Sequence, residues 1–231
     1  MRAMLAWLRP LALILALVAL VMLVASGPGT RFQLWDYRLG FTLLAWAAYT
    51  AIAAGFVSVI ALAIPKSRAR GMLMPMLALV IGLAVLYGPL EFRRQARSFP
   101  PINDITTDTE NPPRYMTQSR PYLGPDAARQ QRTAYPDLLP VLMPLPPAAA
   151  FKKAVAAAES MGWEVVGVDA AAGTIEAVDT TKFFGFKDDI AIRVTATADG
   201  AKIDIRSKSR VGRGDVGTNA HRIRAYIERL K

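Results

Sequence analysis

The stretch DIAIRVTATADGAKIDIRSKSRV, residues 189–211, decides the fold of the C-terminal half. Ile190, Ile192 and Val194 alternate with Arg193 and Thr195, the two-residue period of a strand with one buried face. Asp199–Gly200 then supplies a hairpin turn dipeptide. The alternation resumes beyond it, with Ile203 and Ile205 on one side and Asp204, Arg206, Lys208 and Arg210 on the other. Asp189–Thr197 and Lys202–Val211 are therefore expected to pair antiparallel, with one apolar face and one charged face.

Two short strands precede this hairpin, Glu164–Asp169 and Thr174–Thr180, joined by a turn at Ala170–Gly173. Helices flank the set. PPAAAFKKAVAAAESMGW (146–163) reads as a helix from Pro147 to Met161. Pro147 suits a first turn, alanine dominates, and Gly162 ends it. The last helix carries Ile223, Tyr226, Ile227 and Leu230 on one stripe. The order is αββββα. Residues 148–231 are thus expected to form an α+β domain, an antiparallel sheet with two helices on one face and a polar face beyond.

Residues 92–147 read as a connector. Eleven of the sixteen prolines lie between Pro100 and Pro147. Proline fixes φ and removes a donor, so long helices or strands are not expected. Some fifty residues of bare loop would be unusual. Ile102, Ile105, Tyr115, Tyr122, Tyr135, Leu138 and Leu139 offer anchors for an ordered strap across the domain.

Residues 1–91 have a different character. The chain is 53% hydrophobic with a mean hydropathy of +0.26, high for a soluble protein. Three apolar runs, about 11–26, 39–64 and 71–90, are expected to be transmembrane helices. The first is short and follows Arg2 and Arg9, so a cleaved signal peptide is its alternative reading. Flanking cations tie at five on each side. The loop PKSRAR (65–70) is dense in cations, and the first run has the basic-then-apolar order of a signal anchor. Both favour a cytoplasmic N-terminus. The C-terminal domain then lies outside the cytoplasm whether or not the first helix is retained.

Charge and composition narrow the function. The formal net charge is +10, but residues 1–99 hold ten Lys/Arg against Asp36 and Glu91, while residues 100–231 hold eighteen against sixteen acids. The excess sits at membrane flanks, which argues against nucleic acid as a partner and for membrane lipids. With no cysteine and one histidine, thiol chemistry and multi-histidine zinc sites are excluded. No cofactor or metal is expected.

The candidate contact residues fall into two groups. Phe183, Phe184 and Phe186 crowd the loop before the hairpin. They read most simply as caps on the core, or else as a lip toward lipid, a ligand or a membrane partner. Arg206, Lys208 and Arg210, with Arg193 beside them, form a basic stripe. Anionic headgroups, a partner protein or the protein's own acidic strap would suit it. Asp188 and Asp189 are adjacent on a strand and point to opposite faces, so they do not form a natural acid/base pair. NDITTDTENPP (103–113) lacks calcium-loop spacing and reads as Asx and Thr turns. GRGDVG (212–217) lacks the phosphate-loop pattern and reads as a strand-to-helix turn, with Asp215 or Thr218 as the helix cap. His221 reads as an exposed surface residue. No catalytic residue is singled out.

PPINDITTDTENPP (100–113), GWEVV (162–166), FFGFKDDIAIRV (183–194) and SRVGRGDVGTNAHRIR (209–224) occur in that order. Together they resemble a bacterial family catalogued as domain of unknown function 1499, over roughly residues 95–231. The three-span N-terminal part is similar to longer members. The resemblance implies a membrane-attached envelope protein. It brings no reaction, cofactor or site residue. The expected function is that of a non-enzymatic envelope accessory or interaction module in the bacterial inner membrane, with its C-terminal domain in the periplasm. Its partners would be lipids and another envelope membrane protein. The alternatives are binding of an anionic lipid or amphiphile at the aromatic loop and basic face, and a hydrolase using Asp188 or Asp189.

Overall fold

The computed structural model describes residues 2–231, with side chains from Trp7 onward. The Arg2 side chain, counted above among the flanking cations, lies outside the described residues. The chain divides into two units. One comprises Met1–Gln95 with Lys182–Gly185, the other Ala96–Thr181 with Phe186–Lys231.

The first unit is helical: α1 (Arg2–Arg31), α2 (Tyr37–Ala63), the single turn α3 (Pro65–Arg68) and α4 (Leu73–Ser98). Three stretches, Trp7–Arg31, Tyr37–Ala63 and Leu73–Ser98, are long and apolar enough to cross a membrane. They outrun the apolar sequence runs because hydropathy marks the hydrocarbon-compatible part, whereas helical hydrogen bonding continues into polar flanks. Asp36 starts α2 by accepting from the Arg38 N–H (2.6 Å) and more weakly from Leu39 (3.3 Å).

Small residues hold these helices together. The buried positions of α2 include Ala47, Ala51, Ala54, Ser58 and Ala61, alternating steps of four and three. Pro75, Ala78, Gly82 and Val85 do the same on α4, and Ala12, Ala16 and Ala19 are buried on α1. Short side chains let backbones approach closely, which gives dispersion contacts where no hydrophobic driving force exists. The Ser58 hydroxyl satisfies itself on the Ala54 carbonyl (2.7 Å). Gly29 is required on α1, because a Cβ there would run into the Trp35 ring.

The second unit is the α+β domain. Its strands are β1 (Asp104–Thr106), β2 (Val141–Met143), β3 (Glu164–Asp169), β4 (Thr174–Thr180), β5 (Lys187–Thr197) and β6 (Gly200–Ser209). Its helices are α5 (Pro125–Ala134), α6 (Pro147–Ser160) and α7 (Thr218–Leu230). All pairings are antiparallel, in the order β1-β6-β5-β4-β3, with β2 also on β6. The αββββα core is as expected. The proline-rich connector, however, contributes two strands and a helix. β1 and β2 share the outer edge of β6, so the domain begins well before residue 148. Three-residue strands between prolines carry no period that a sequence reading can detect.

One face of the sheet makes the core. Ile105, Ile175, Ile190, Ile192, Ile203 and Ile205 pack under Phe151 and Ala154 of α6 and Ile223, Tyr226 and Leu230 of α7. Trp163 stacks on Tyr226 at 5.4 Å, and the Tyr226 hydroxyl donates to the Ala154 carbonyl (3.0 Å). Each of these isoleucines, fully buried, contributes on the order of 1.5–3 kcal/mol.

Candidate functional site

The other face is charged but not open, and this corrects the expectation of a polar face turned outward. Asp104, Glu176, Asp189, Asp204 and Arg206 are all buried. Residues 107–122 lie across them, and acids and cations of sheet and strap pair with one another, while Arg193 Nε and Asp204 Oδ1 make no hydrogen bond among the described residues.

At the centre, Arg206 donates Nε and Nη2 to the two oxygens of Asp104, both at 2.8 Å. Its remaining N–H groups reach the Pro113 and Arg120 carbonyls (3.2 and 3.0 Å). The guanidinium also lies over Tyr115 and Tyr122, at 4.9 and 5.6 Å from their ring centres. Burial alone would lower its pKa, but Asp104 outweighs that and raises it. Lys208 contacts Asp104 (3.1 Å) and the Pro121 carbonyl (2.8 Å). Arg210 pairs with Asp189 (2.7 Å), which Arg120 of the strap also contacts. Arg193 bridges Asp204 (2.7 Å) and Asp108 (3.2 Å). Each cation of the predicted stripe is thus held by an acid.

The strap adds neutral ties. Glu176 accepts from the Met116 and Thr117 N–H groups (2.6 and 2.9 Å) and from the Thr117 hydroxyl (2.5 Å). Tyr115 donates to the Asp189 carbonyl (3.1 Å), and burial raises its pKa. Asp108 accepts from the Glu110 and Asn111 N–H groups, an Asx turn as expected of NDITTDTENPP. Asp104, Asp108 and Glu110 diverge to different partners, Glu110 going to Arg132 (3.0 Å).

Where the strap bends away from the sheet it leaves a groove of about 690 Å³, lined by Arg114, Tyr115, Gln118, Ser119, Tyr122 and Arg206 among others. The Tyr122 hydroxyl, shielded from solvent, has no hydrogen-bond partner among the described residues. Burial, reinforced by Asp104, pushes its pKa up to about 12, so it stays protonated and able to donate.

Asp188 and Asp189 are divided by the sheet. Asp188 faces the helices and accepts from Arg222 of α7 (2.6 Å), which also holds Asp179 (2.8 Å). Arg222 further donates to Ser207 Oγ and Asn219 Oδ1 (3.0 and 2.6 Å). Asp189 lies on the strap face. The two carboxylates therefore do not converge. The GRGDVG segment is a turn. The Asp215 carboxylate accepts from the Gly217 and Asn219 N–H groups (2.9 and 2.8 Å). His221 is exposed, edge-on to Phe99 at 6.2 Å.

Phe183 and Phe184 do not cap the core of the sheet. They group with the helical unit, where Phe184 lies 5.0 Å from Phe41 and 5.1 Å from Phe183. Phe186 is half-buried in the second unit. Sequence reasoning missed Arg120, Glu176 and Arg222 as network members. Only Arg222 left a signal, a cation on α7 directly beside the apolar Ile223.

A family model described as protein of unknown function (DUF1499) matches residues 104–230, more than half of the chain. The chain belongs to this family. The match starts at β1, so the DUF1499 unit includes the strap along with the sheet and helices it covers. No curated protein matches the sequence.

Proposed function

We propose that this DUF1499 protein is a multi-pass protein of the bacterial inner membrane and that its α+β domain is a periplasmic, non-enzymatic interaction module. The observation that carries the membrane part is the outer surface of the helical unit. Trp7, Val21, Phe56 and Val80 are each more than 60% exposed on helices whose apolar windows are no more than 22% buried. Water does not tolerate that surface, whereas hydrocarbon matches it. Ala12 and Ala16 of α1 pack in one cluster with Ala54 and Ala78, which supports a retained first helix.

The groove beside Tyr122 supports the interaction reading. It offers polar rim groups and an aromatic wall. The partner is another envelope membrane protein that presents a polar segment to this groove. A photo-crosslinking residue in place of Gln118, irradiated in native membranes, should yield one discrete adduct. A correctly inserted chain that gives no adduct removes the groove from the reading. For orientation, a C-terminal alkaline phosphatase fusion should be active, and an inactive fusion reverses the topology.

The geometry favours neither alternative. A lipid headgroup would have to displace Asp104 from Arg206, and a hydrolase would need carboxylates that the sheet keeps apart.

A further inference from the structure

The outer face of α2 carries two polar groups where hydrocarbon is expected. Tyr49 is 63% exposed and Trp46 57%, their rings edge-on at 6.0 Å. Among the described residues neither makes a hydrogen bond. Tyr49 lies ten residues beyond Leu39, the start of the apolar run. At about 1.5 Å per residue that is about 15 Å deep, the middle of a core about 30 Å thick. Tyrosine and tryptophan belong at the membrane interface, where the polar end of the ring meets water. A mid-span hydroxyl reaches no water and must find a protein partner.

Tyr49 and Trp46 share their face with Ile52, Phe56 and Val59, all exposed. Beside Phe56, α2 and α4 leave an apolar groove of about 350 Å³ whose lining includes Gly55 and Gly82. A protruding ring and an empty groove therefore sit at one depth on one face.

We propose that this face is the contact between two copies of the chain, related by a two-fold axis along the membrane normal. Such an axis brings residues of equal depth together. Tyr49 then meets Tyr49 of the second copy. A tyrosine hydroxyl both donates and accepts, so the pair satisfies itself, and the Trp46 N–H can donate to the same oxygens. Phe56 of each copy enters the glycine-lined groove of the other. A bare lipid chain would fill the groove but leave both polar groups unmet.

The inference rests on the membrane-spanning reading, and the test separates the two. The chain has no cysteine, so a single introduced thiol reports alone. Full-length Ile52→Cys, oxidised in native membranes, should give a disulfide-linked species of twice the chain mass. Val21→Cys, on the outer face of α1, should stay monomeric under the same oxidation. Tyr49→Phe added to Ile52→Cys should cut the dimer several-fold without releasing the chain from the membrane. Ile52→Cys that crosslinks no more than Val21→Cys overturns the proposal, as does an adduct of any other mass. Release of the chain by alkaline carbonate overturns the membrane reading, and the dimer with it.

Discussion

Arg206 ties the sheet face to the strap, because Asp104, two strap carbonyls and two tyrosine rings converge on it. Asp104→Asn leaves the guanidinium buried without its counter-charge and should cost about 3–5 kcal/mol, read as a shifted denaturation midpoint in detergent. The double replacement Asp104→Leu with Arg206→Met should cost less than Asp104→Leu alone, since the guanidinium is no longer stranded and only Lys208, left with the Pro121 carbonyl, loses its acid. Asp215 behaves differently. Burial raises its pKa against the pull of the Asn219 and Gly217 N–H groups. Its ionised form is disfavoured in the folded state, so its contribution is present at low pH and lost as pH rises through that raised value. Asp215→Asn removes the charge but keeps only one of the two acceptor oxygens, and should cost less than Asp215→Ala at pH 7. Asp215→Ala should lower stability by about 1 kcal/mol. For Asp108, burial would raise the pKa, but the Asn111 N–H, Lys202 and Arg193 outweigh it and hold the group low. Its contribution is therefore present above the ordinary aspartate value and lost as pH falls through the lower folded one. An acid titration of Asp108→Asn should show a shallower loss of stability in that window.

At the scale of elements, the edge of the sheet depends on one side chain. Beyond β1, the Gln131 amide of α5 donates to the Thr106 carbonyl (2.6 Å) and accepts from the Thr106 N–H (3.0 Å), as a neighbouring strand would. Gln131→Ala leaves both backbone groups buried and unpaired, and should cost about 2–4 kcal/mol in a denaturation experiment. Nothing in PDAARQQRTA marks that glutamine apart from the one before it, which is exposed. The hairpin of β5 and β6 was legible because alternating isoleucines state which face is buried. The three-residue strands were not, because they are defined by hydrogen bonds to distant residues. The basic stripe was legible as a stripe. Its partners were not, because a strap of prolines and threonines gives no period by which to align Asp104 with Arg206. In the helical unit, the alanine seam of α2 leaves no room for a larger side chain. Ala54→Leu should cost about 1–3 kcal/mol, measured as loss of thermal stability in detergent.

At the scale of the whole molecule, apolar side chains face outward from one unit and charged side chains face inward in the other. Each arrangement inverts the usual pattern of a soluble domain, for different reasons. The helices meet a solvent that offers no hydrogen bonds. The sheet instead buries its charges under a segment of its own chain. The order in which a ribosome delivers these parts then matters. Asp104 and Arg206 are 102 residues apart, and β6 is made near the end. At ~5–20 residues per second, Asp104 is made roughly 5–20 s before Arg206. During that interval the strap's acids, arginine and tyrosines have nothing to close upon. Maturation of the domain is therefore gated by the last quarter of the chain, and a pause or truncation there would leave an unfolded tail on a finished helical unit, open to proteases and to any chaperone on the side that receives it.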